Sequence, residues 1–282
     1  MFDQLSERNY QRLAQVIHAH SGIRMPPAKR TMVEGRLRKR LRALDVPSLD
    51  EYCSILFDRD GLKGEFIHLI DAVTTNKTDF FREPDHFRYL AEEAAPRLRA
   101  ERRAGVDRPL KAWSAACSCG AEPYTLAMVL ADAEQRRGVP GGAPRFSILG
   151  TDICTQVLEQ AVAAVYPADM IAPVPPEMRR RYLLRARDPA RREVRIAPEL
   201  RRHVRFARLN LMDARYPVDQ DMDVIFCRNI LIYFEKDAQQ AVLNRLCRHL
   251  RPGGYLFLGH AESMIGADLP VRPVAATVFR RA

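Results

Sequence analysis

"AACSCGAEPYTLAM", residues 115–128, is the stretch on which the fold turns. Small residues lead to a glycine at 120, an acid follows at Glu122, and a helical pattern starts at once. "LKAWSAA" (110–116) just upstream reads as a strand. A strand handing over to a helix through a glycine turn forms a crook where a ligand sits. The stretch is not GxGxxG, and it carries Cys117 and Cys119. A nucleotide site, a metal site, a nucleophile and a plain turn are all open at this point.

The alternation continues downstream. "EPYTLAMVLADAEQRRG" (122–138) reads as a helix ending at Gly138, and "RFSILGTD" (145–152) as a strand. "TQVLEQAVAAVY" (155–166) reads as a helix capped by Thr155. "MDVIFCRN" (222–229) is a continuous apolar run, expected of a buried parallel strand. "KDAQQAVLNRLCRHLRPGG" (236–254) is a helix stopped at Pro252-Gly253-Gly254, and "YLFLGHAES" (255–263) a further strand. This rhythm predicts an α/β fold with a doubly wound sheet. Residues 167–206 break it: "RYLLRAR" and "EVRIAP" flank a turn at Asp188-Pro189 and predict a helix and a small antiparallel insertion at the sheet edge.

The first 70 residues read as helices instead. Phe2, Leu5, Tyr10, Leu13, Val16 and Ile17 recur at helical spacing. In "PPAKRTMVEGRLRKRLRALDVPS", Pro26 and Pro27 suit a helix start and Pro47 a stop. Lys29, Arg30, Arg36, Arg38, Lys39, Arg40 and Arg42 lie between them, with Met32, Leu37 and Leu41 as the inner face. Such a helix is either a solvated face or a docking surface for an acidic partner. Ser48 and Glu51 have capping-box spacing, and "GEFIHLIDAVT" gives a fourth helix. The expected division is an all-α basic domain over 1–72, a bridging segment over 73–109 whose part 97–109 is a basic connection, and the α/β domain over 110–282 with its insertion at about 172–202.

The chain has 282 residues, 47% hydrophobic and 28% charged, as in an ordinary globular protein. No apolar run reaches the roughly 18–20 residues that span a bilayer. "MFDQLSERNYQRLAQ" has no signal-peptide core, so the expected location is the cytoplasm. Six cysteines offer one C-x-C pair and no complete ligand set, which points to free thiols and no metal. A net charge of +10 favours an acidic partner.

Ligands of such sheets bind outside the carboxyl ends of the strands. The candidates are therefore Ser114 to Glu122, then Asp152, then Asn210 and Leu211, then Arg228 and Asn229 with Tyr233 nearby. Asp152 is placed to accept hydrogen bonds from both hydroxyls of a ribose, although a strand-end Asp also serves as a helix cap. A single turn glycine does not suit a pyrophosphate. An adenosine-bearing ligand without one fits better, and S-adenosylmethionine (SAM) is the obvious choice.

Five segments occur in order: "TTNKTDFFREPDHF", "WSAACSCGAEPYTLAM", "GTDICTQVLEQA", "FARLNLMD" and "DVIFCRNILIYFEKDAQQAVLNRLCRHLRPGGYLFLGHAESM". Together they resemble the CheR family, SAM-dependent methyltransferases that esterify glutamates on bacterial chemotaxis receptors. The resemblance covers nearly the whole chain. It implies a Rossmann-like SAM-methyltransferase sheet with a small β-subdomain behind an all-α domain. It also implies that Asn76, Thr78 and Arg82 reach the cofactor from the bridge, that Glu122 contacts it from the first turn, and that Asp152 holds the ribose. Asn210 and Leu211 would flank the adenine, with Arg228 and Asn229 at the fourth strand end. Arg82 and Tyr233 would lie nearest the transferred methyl group. The partner would be a methyl-accepting receptor, met by the basic helix through Arg36, Lys39 and Arg40, and the enzyme a monomer that releases S-adenosylhomocysteine. Two departures stand out. The family has two acids after the turn glycine, and here the first is Ala121. Glycines frequent in the family's insertion, which in some members grips a receptor C-terminal peptide, are replaced by "RARDPARR", so peptide tethering is in doubt.

The chemistry agrees with what the chain lacks. A glutamate side chain titrates near ~4.3 and is already a nucleophile at neutral pH, so no general base is required. Positioning contributes roughly 7–11 kcal/mol in favourable cases, and Thr74 to Arg82 is the candidate lid. The rival readings are a nucleic-acid methyltransferase, a non-catalytic SAM-binding scaffold and, weakest, a nicotinamide dehydrogenase. Amino-methylating enzymes usually carry an N/D-P-P-Y/F loop, where this chain has "CRNILIYF".

Overall fold

The computed structural model describes residues 3–59, 61–136, 145–188, 190–262 and 269–282. The readings of Phe2, the helix stop at Gly138, Pro189 of the insertion turn, and Ser263 lie outside these residues.

Four helices open the chain. In α1 (Glu7–Ser21), Ser6 accepts a hydrogen bond from the Asn9 N–H, and Gly22 closes the helix in the left-handed region. It buries Tyr10, Leu13 and Ile17, while Leu5 is buried ahead of the helix. Helix α2 (Arg30–Leu44) follows a 3-10 turn at Pro27–Lys29 and ends at left-handed Asp45, before the expected Pro47. Its buried stripe is Val33, Glu34, Leu37 and Leu41, with Met32 only partly covered. Ser48 caps α3 (Leu49–Asp58) through the Glu51 N–H. The Glu51 carboxylate instead pairs with Arg59 at 2.8 Å, so half of the capping box forms. Helix α4 (Leu62–Val73) completes the group.

The bridge is more helical than expected. Helix α5 (Pro84–Tyr89), a π-helical turn at Leu90–Ala94 and α6 (Ala95–Arg102) run on from one another, so residues 97–102 are helix rather than connection.

The α/β part begins with β1 (Leu110–Ala115), α7 (Ala121–Arg136), β2 (Phe146–Asp152) and α8 (Thr155–Ala163). The insertion holds β3 (Val165–Pro167), α9 (Pro176–Tyr182), β4 (Leu183–Arg185), β5 (Glu193–Ile196) and α10 (Pro198–Arg201). Then come β6 (Val204–Arg208), β7 (Met222–Cys227), α11 (Lys236–His249), β8 (Leu250–Leu258), β9 (Val271–Ala275) and β10 (Val278–Arg281). The main sheet runs β6-β2-β1-β7-β8-β10-β9, parallel through β8, with β10 antiparallel to both β8 and β9. The strand order reverses between β1 and β7, which opens a crevice at their carboxyl ends.

Several expectations are corrected. Helix α8 stops at Ala163 because Ala164 turns left-handed (φ 55°) and Tyr166 is pulled into a strand, its hydroxyl donating to the Cys119 carbonyl at 2.7 Å. Strand β3 thereby joins the three-stranded sheet β3-β5-β4, which starts before the expected insertion. Thr155 is the first helical residue, not the cap; Asp71 of α4 accepts hydrogen bonds from both its N–H and its hydroxyl. Helix α11 ends at His249, so Pro252-Gly253-Gly254 lies within β8. A Cβ on Gly254 would sit 2.9 Å from the Asp223 carbonyl, which is why glycine is needed where β8 meets β7. Strand β8 itself ends at Leu258, and His260–Glu262 is a 3-10 turn.

Side chains alternate across the sheet as a strand period of two requires. On β7, Val224 and Phe226 face one core with Phe87, Tyr124 and Phe257. Ile225 and Cys227 face the other, which also contains Leu13, Leu37 and Leu69 of the opening helices. The helices and one face of the sheet thus share a single core.

Candidate active site

The turn after β1 has an alternating backbone: Ala116 (φ 58°), Ser118 (φ 52°) and Gly120 (φ 87°) are left-handed. Such alternation makes a concave nest that favours an anion. The anion here is the chain's own. Asp152 accepts hydrogen bonds from the Ser118 N–H at 2.8 Å and the Cys154 N–H at 3.0 Å, one on each oxygen. Burial pushes the Asp152 carboxyl above its ordinary pKa, while these N–H groups pull the other way. Each oxygen keeps acceptor capacity for a further hydroxyl. Gly120 is required twice over: its φ is positive, and a Cβ would lie 2.8 Å from that of Ala161. Ala121 is fully buried in the core, where a methyl group costs nothing and an acid would be desolvated. All six cysteines are free and buried, and burial raises the Cys117 and Cys119 thiols. Neither supplies a thiolate nucleophile.

Next to the turn lies a dense polar network. Glu122 accepts from the Ser114 hydroxyl and from Arg228 Nε, both at 2.7 Å. Arg228 is almost fully buried. Its Nη1 also reaches the Arg82 carbonyl (2.9 Å), Glu83 (3.2 Å) and His86 Nδ1 (3.0 Å). The rings of Phe87 and Phe226 lie against the same guanidinium, at 5.1 and 5.4 Å. A guanidinium only donates, so His86 Nδ1 is the acceptor and Nε2 carries the proton toward Thr277, 2.7 Å away. Burial, then the Arg228 charge, lowers the His86 pKa to about 4. Burial acts to raise the Glu83 pKa, but the Asn229 hydrogen bond and Arg228 outweigh it and hold the carboxyl below its usual range. Glu83, His86 and His260 bring ligand-type atoms within 4.8 Å of one another, and the cation among them is Arg228.

Asn229, left-handed at φ 59°, donates to Glu83 at 2.9 Å. The loop it opens is fixed by Glu262, whose carboxylate accepts the N–H groups of Gly259, Asn229, Ile230 and Leu231 at 2.7–3.0 Å. Opposite lies the strap over 74–83. The Asn76 carbonyl accepts from the Ser118 hydroxyl (2.8 Å), and its amide touches Thr74 (3.3 Å) and Cys154 (3.5 Å). Thr78 and Arg82 are partly exposed, and among the described residues the Arg82 side chain reaches only the Lys77 carbonyl, at 3.2 Å. Left-handed Phe81 and Glu83 flank Arg82. The Tyr233 hydroxyl has no partner among the described residues, while Lys29 lies 5.2 Å from its ring centre.

Asn76, Thr78, Arg82, Glu122, Asp152, Asn210, Leu211, Arg228, Asn229 and Tyr233 all line one pocket at the carboxyl edge. Ser21, Lys29 and Met32, with Ile23 and Met25 of the connection after α1, line it too. Asn210 is committed elsewhere: its amide donates to the His20 carbonyl (2.7 Å) and its oxygen accepts from Met212 (3.0 Å). Leu211 lines the pocket beside it. Glu83, His86, Glu262 and Asp71 escaped the sequence reading. Glu83 and Glu262 stand inside quoted motifs, but no spacing rule marks a carboxylate that binds main-chain or buried cationic groups. In the basic helix, two of the residues expected to dock a partner have partners within the chain. Arg36 donates to the Val73 and Thr74 carbonyls (2.6 and 2.8 Å), and Arg40 pairs with Glu65. Of the three residues expected to dock a partner, only Lys39 is well exposed.

A doubly wound sheet with an acid at the second strand end and a phosphate nest filled from within defines a SAM-dependent methyltransferase rather than a dinucleotide enzyme. Comparison with known proteins agrees. The family described as "CheR methyltransferase, SAM binding domain" matches residues 76–279, and "CheR methyltransferase, all-alpha domain" matches 8–74. The chain is 40% identical over 260 residues to the chemotaxis protein methyltransferase of Escherichia coli (strain K12), covering 92% of this chain and 85% of that one. It is 37% identical over 274 residues to chemotaxis protein methyltransferase 2 of Pseudomonas aeruginosa, covering 97% and 93%. Among solved structures, SAM-bound CalS10, an amino pentose methyltransferase, is 16% identical over 65% of this chain and 58% of that chain. Its TM-score of 0.34 is too low to carry an argument. The chain belongs to the CheR methyltransferase family and uses SAM as its methyl donor.

Proposed function

We propose that this enzyme methylates glutamate side chains of chemotaxis receptors and releases S-adenosylhomocysteine. The observation that carries the site reading is the convergence of ten residues, drawn from the strap and four strand ends, on one pocket around the Asp152 turn. Asp152 accepts from the ribose hydroxyls. Leu211 and the backbone at Asn210 flank the adenine, and Asn76 and Thr78 close over the cofactor. Glu122, Arg228 and Asn229 hold the inner wall. SAM supplies a methyl group on a sulfonium centre. Arg82 orients the incoming carboxylate and the unpartnered Tyr233 hydroxyl donates to it, neither binding tightly enough to quench it. No group need remove a proton, because the acceptor arrives ionised. The working division is a helical domain over 1–72, the bridge over 73–109 and the transferase domain from 110, acting as a monomer. Lys39 and Arg42 on the exposed side of α2 contribute to receptor docking. No helix among the described residues is long and apolar enough to cross a membrane, which accords with a cytoplasmic enzyme meeting receptors from inside.

The test is incubation with methyl-labelled SAM and receptor-containing membranes, followed by mild alkali. Methyl esters release labelled methanol. Alkali-stable label, or label on nucleic acid, would overturn the reading.

A further inference from the structure

Tyr233 stands at the end of a three-residue 3-10 turn, Leu231–Tyr233, and lines the pocket. Such a turn is weak by itself, because its hydrogen bonds are few and poorly aligned. Two are internal. The Tyr233 N–H donates to the Ile230 carbonyl at 3.1 Å, and the Phe234 N–H to the Leu231 carbonyl at 3.0 Å. The turn is otherwise held from outside. Glu262 accepts the N–H groups of Ile230 and Leu231 at its entry, and the Arg24 N–H donates to the Tyr233 carbonyl at 3.2 Å.

The exit is held by one side chain. Gln239 Nε2 donates to the Leu231 carbonyl at 2.8 Å and to the Phe234 carbonyl at 3.1 Å, one before Tyr233 and one after it. A terminal atom shared by two carbonyl oxygens has to be the amide nitrogen, and its two N–H bonds match the two acceptors. Charge explains the choice of residues. A carboxylate only accepts and takes the N–H end of the loop, whereas an amide NH2 donates and takes the carbonyl end. Gln239 is also a fixed point. It sits near the start of α11, which buries Val242, Leu243, Leu246 and Cys247 in the core. The side chains of Leu231 and Phe234 are buried, while Ile232 is 48% exposed and Tyr233 partly so. Packing therefore pins the ends of the turn, and main-chain contacts set the direction of Tyr233.

We propose that Gln239 is a positioning residue for methyl transfer: by holding the carbonyls on both sides of Tyr233, it aims the phenol at the acceptor carboxylate. The proposal rests on the reading of Tyr233 as the donor to that carboxylate. Gln239 does not itself line the pocket, so its effect falls on the chemical step and not on binding. The loss on removing it is bounded by the loss on removing the Tyr233 hydroxyl.

The experiment uses the full-length enzyme and receptor-containing membranes. Turnover and SAM affinity are measured for wild type, Gln239→Met, Gln239→Lys, Tyr233→Phe and the double variant Gln239→Met/Tyr233→Phe. Methionine keeps the length and loses both donors; lysine keeps donors and changes the shape. Gln239→Met is expected to lower kcat about three- to tenfold. Receptor KM and SAM affinity stay at wild-type values, the pattern of an interaction made only in the transition state. Gln239→Lys restores kcat to within about twofold of wild type. In the Tyr233→Phe background, Gln239→Met adds no further loss, because the two residues act as a unit. The proposal is overturned by wild-type kcat in Gln239→Met, by a Gln239→Lys variant as slow as Gln239→Met, or by losses that multiply in the double variant. It is also overturned if Gln239→Met loses SAM affinity, since the loop then serves the cofactor. Each of these leaves the loss in Tyr233→Phe standing. Wild-type turnover in Tyr233→Phe instead fails the reading of Tyr233, and an enzyme that esterifies no receptor fails the glutamate reading, and the proposal falls with either.

Discussion

On the sheet side of the pocket, Glu122 and Arg228 are buried or nearly so, and each is held by several polar partners. On the strap side, Thr78 and Arg82 are partly exposed, and among the described residues the Arg82 side chain holds a single main-chain carbonyl. Both sides touch the same ligand space. The difference separates two tasks. Under the proposed reading, the sheet side would fix where the cofactor lies before it arrives, which would lower the ordering cost of binding. The strap and Tyr233 would keep hydrogen-bonding capacity for a substrate that comes and goes.

This contrast can be broken most severely at Arg228. Arg228→Leu leaves Glu122 and Glu83 without their buried cation and should destabilise the fold by about 3–5 kcal/mol. Urea denaturation reads it directly, and a loss below about 1 kcal/mol would show that the sheet side is not rigidly held. Asp152→Asn comes next. An amide can offer only one acceptor oxygen to the Ser118 and Cys154 N–H groups and the ribose together. SAM affinity should fall by roughly 10- to 100-fold by calorimetry, the cost of an unsatisfied buried partner. A change under about threefold would remove Asp152 from the ribose. The strap side should respond more gently and in a different quantity. Arg82→Ala is expected to lower kcat/KM on receptor about tenfold and Tyr233→Phe about three- to tenfold. Melting temperature should stay unchanged and SAM affinity close to wild type. If both variants keep wild-type turnover, the acceptor is oriented by other groups. If they instead lose SAM affinity first, the strap belongs with the cofactor wall and the contrast collapses.

The alternating strands and helices after Leu110 were legible because their periods are local. The Asp152 turn was legible because a lone glycine and a strand-end acid have few other uses together. Thr155 was misread because its cap comes from Asp71, on a helix that no local pattern connects to it. Tyr166 was misread because its strand pairing with β5 and its hydroxyl bond to the Cys119 carbonyl are tertiary contacts that override a good helical pattern. Arg36 and Arg40 looked like a docking face because a sequence shows charge but not the carbonyls and the carboxylate that absorb it. Pairing, not periodicity, decides which basic residues are available.

The Asp71–Thr155 contact reaches beyond the pocket. A helix begins at the cost of unpaired N–H groups in its first turn, and α8 receives one of its partners from α4. The turn that orients Asp152 is thus completed by a residue of the opening helices, which also share a core with the sheet. Despite the strap between them, the two parts are tied together beside the pocket, so a change at Asp71 on the opening helices is felt at the start of α8, three residues from Asp152.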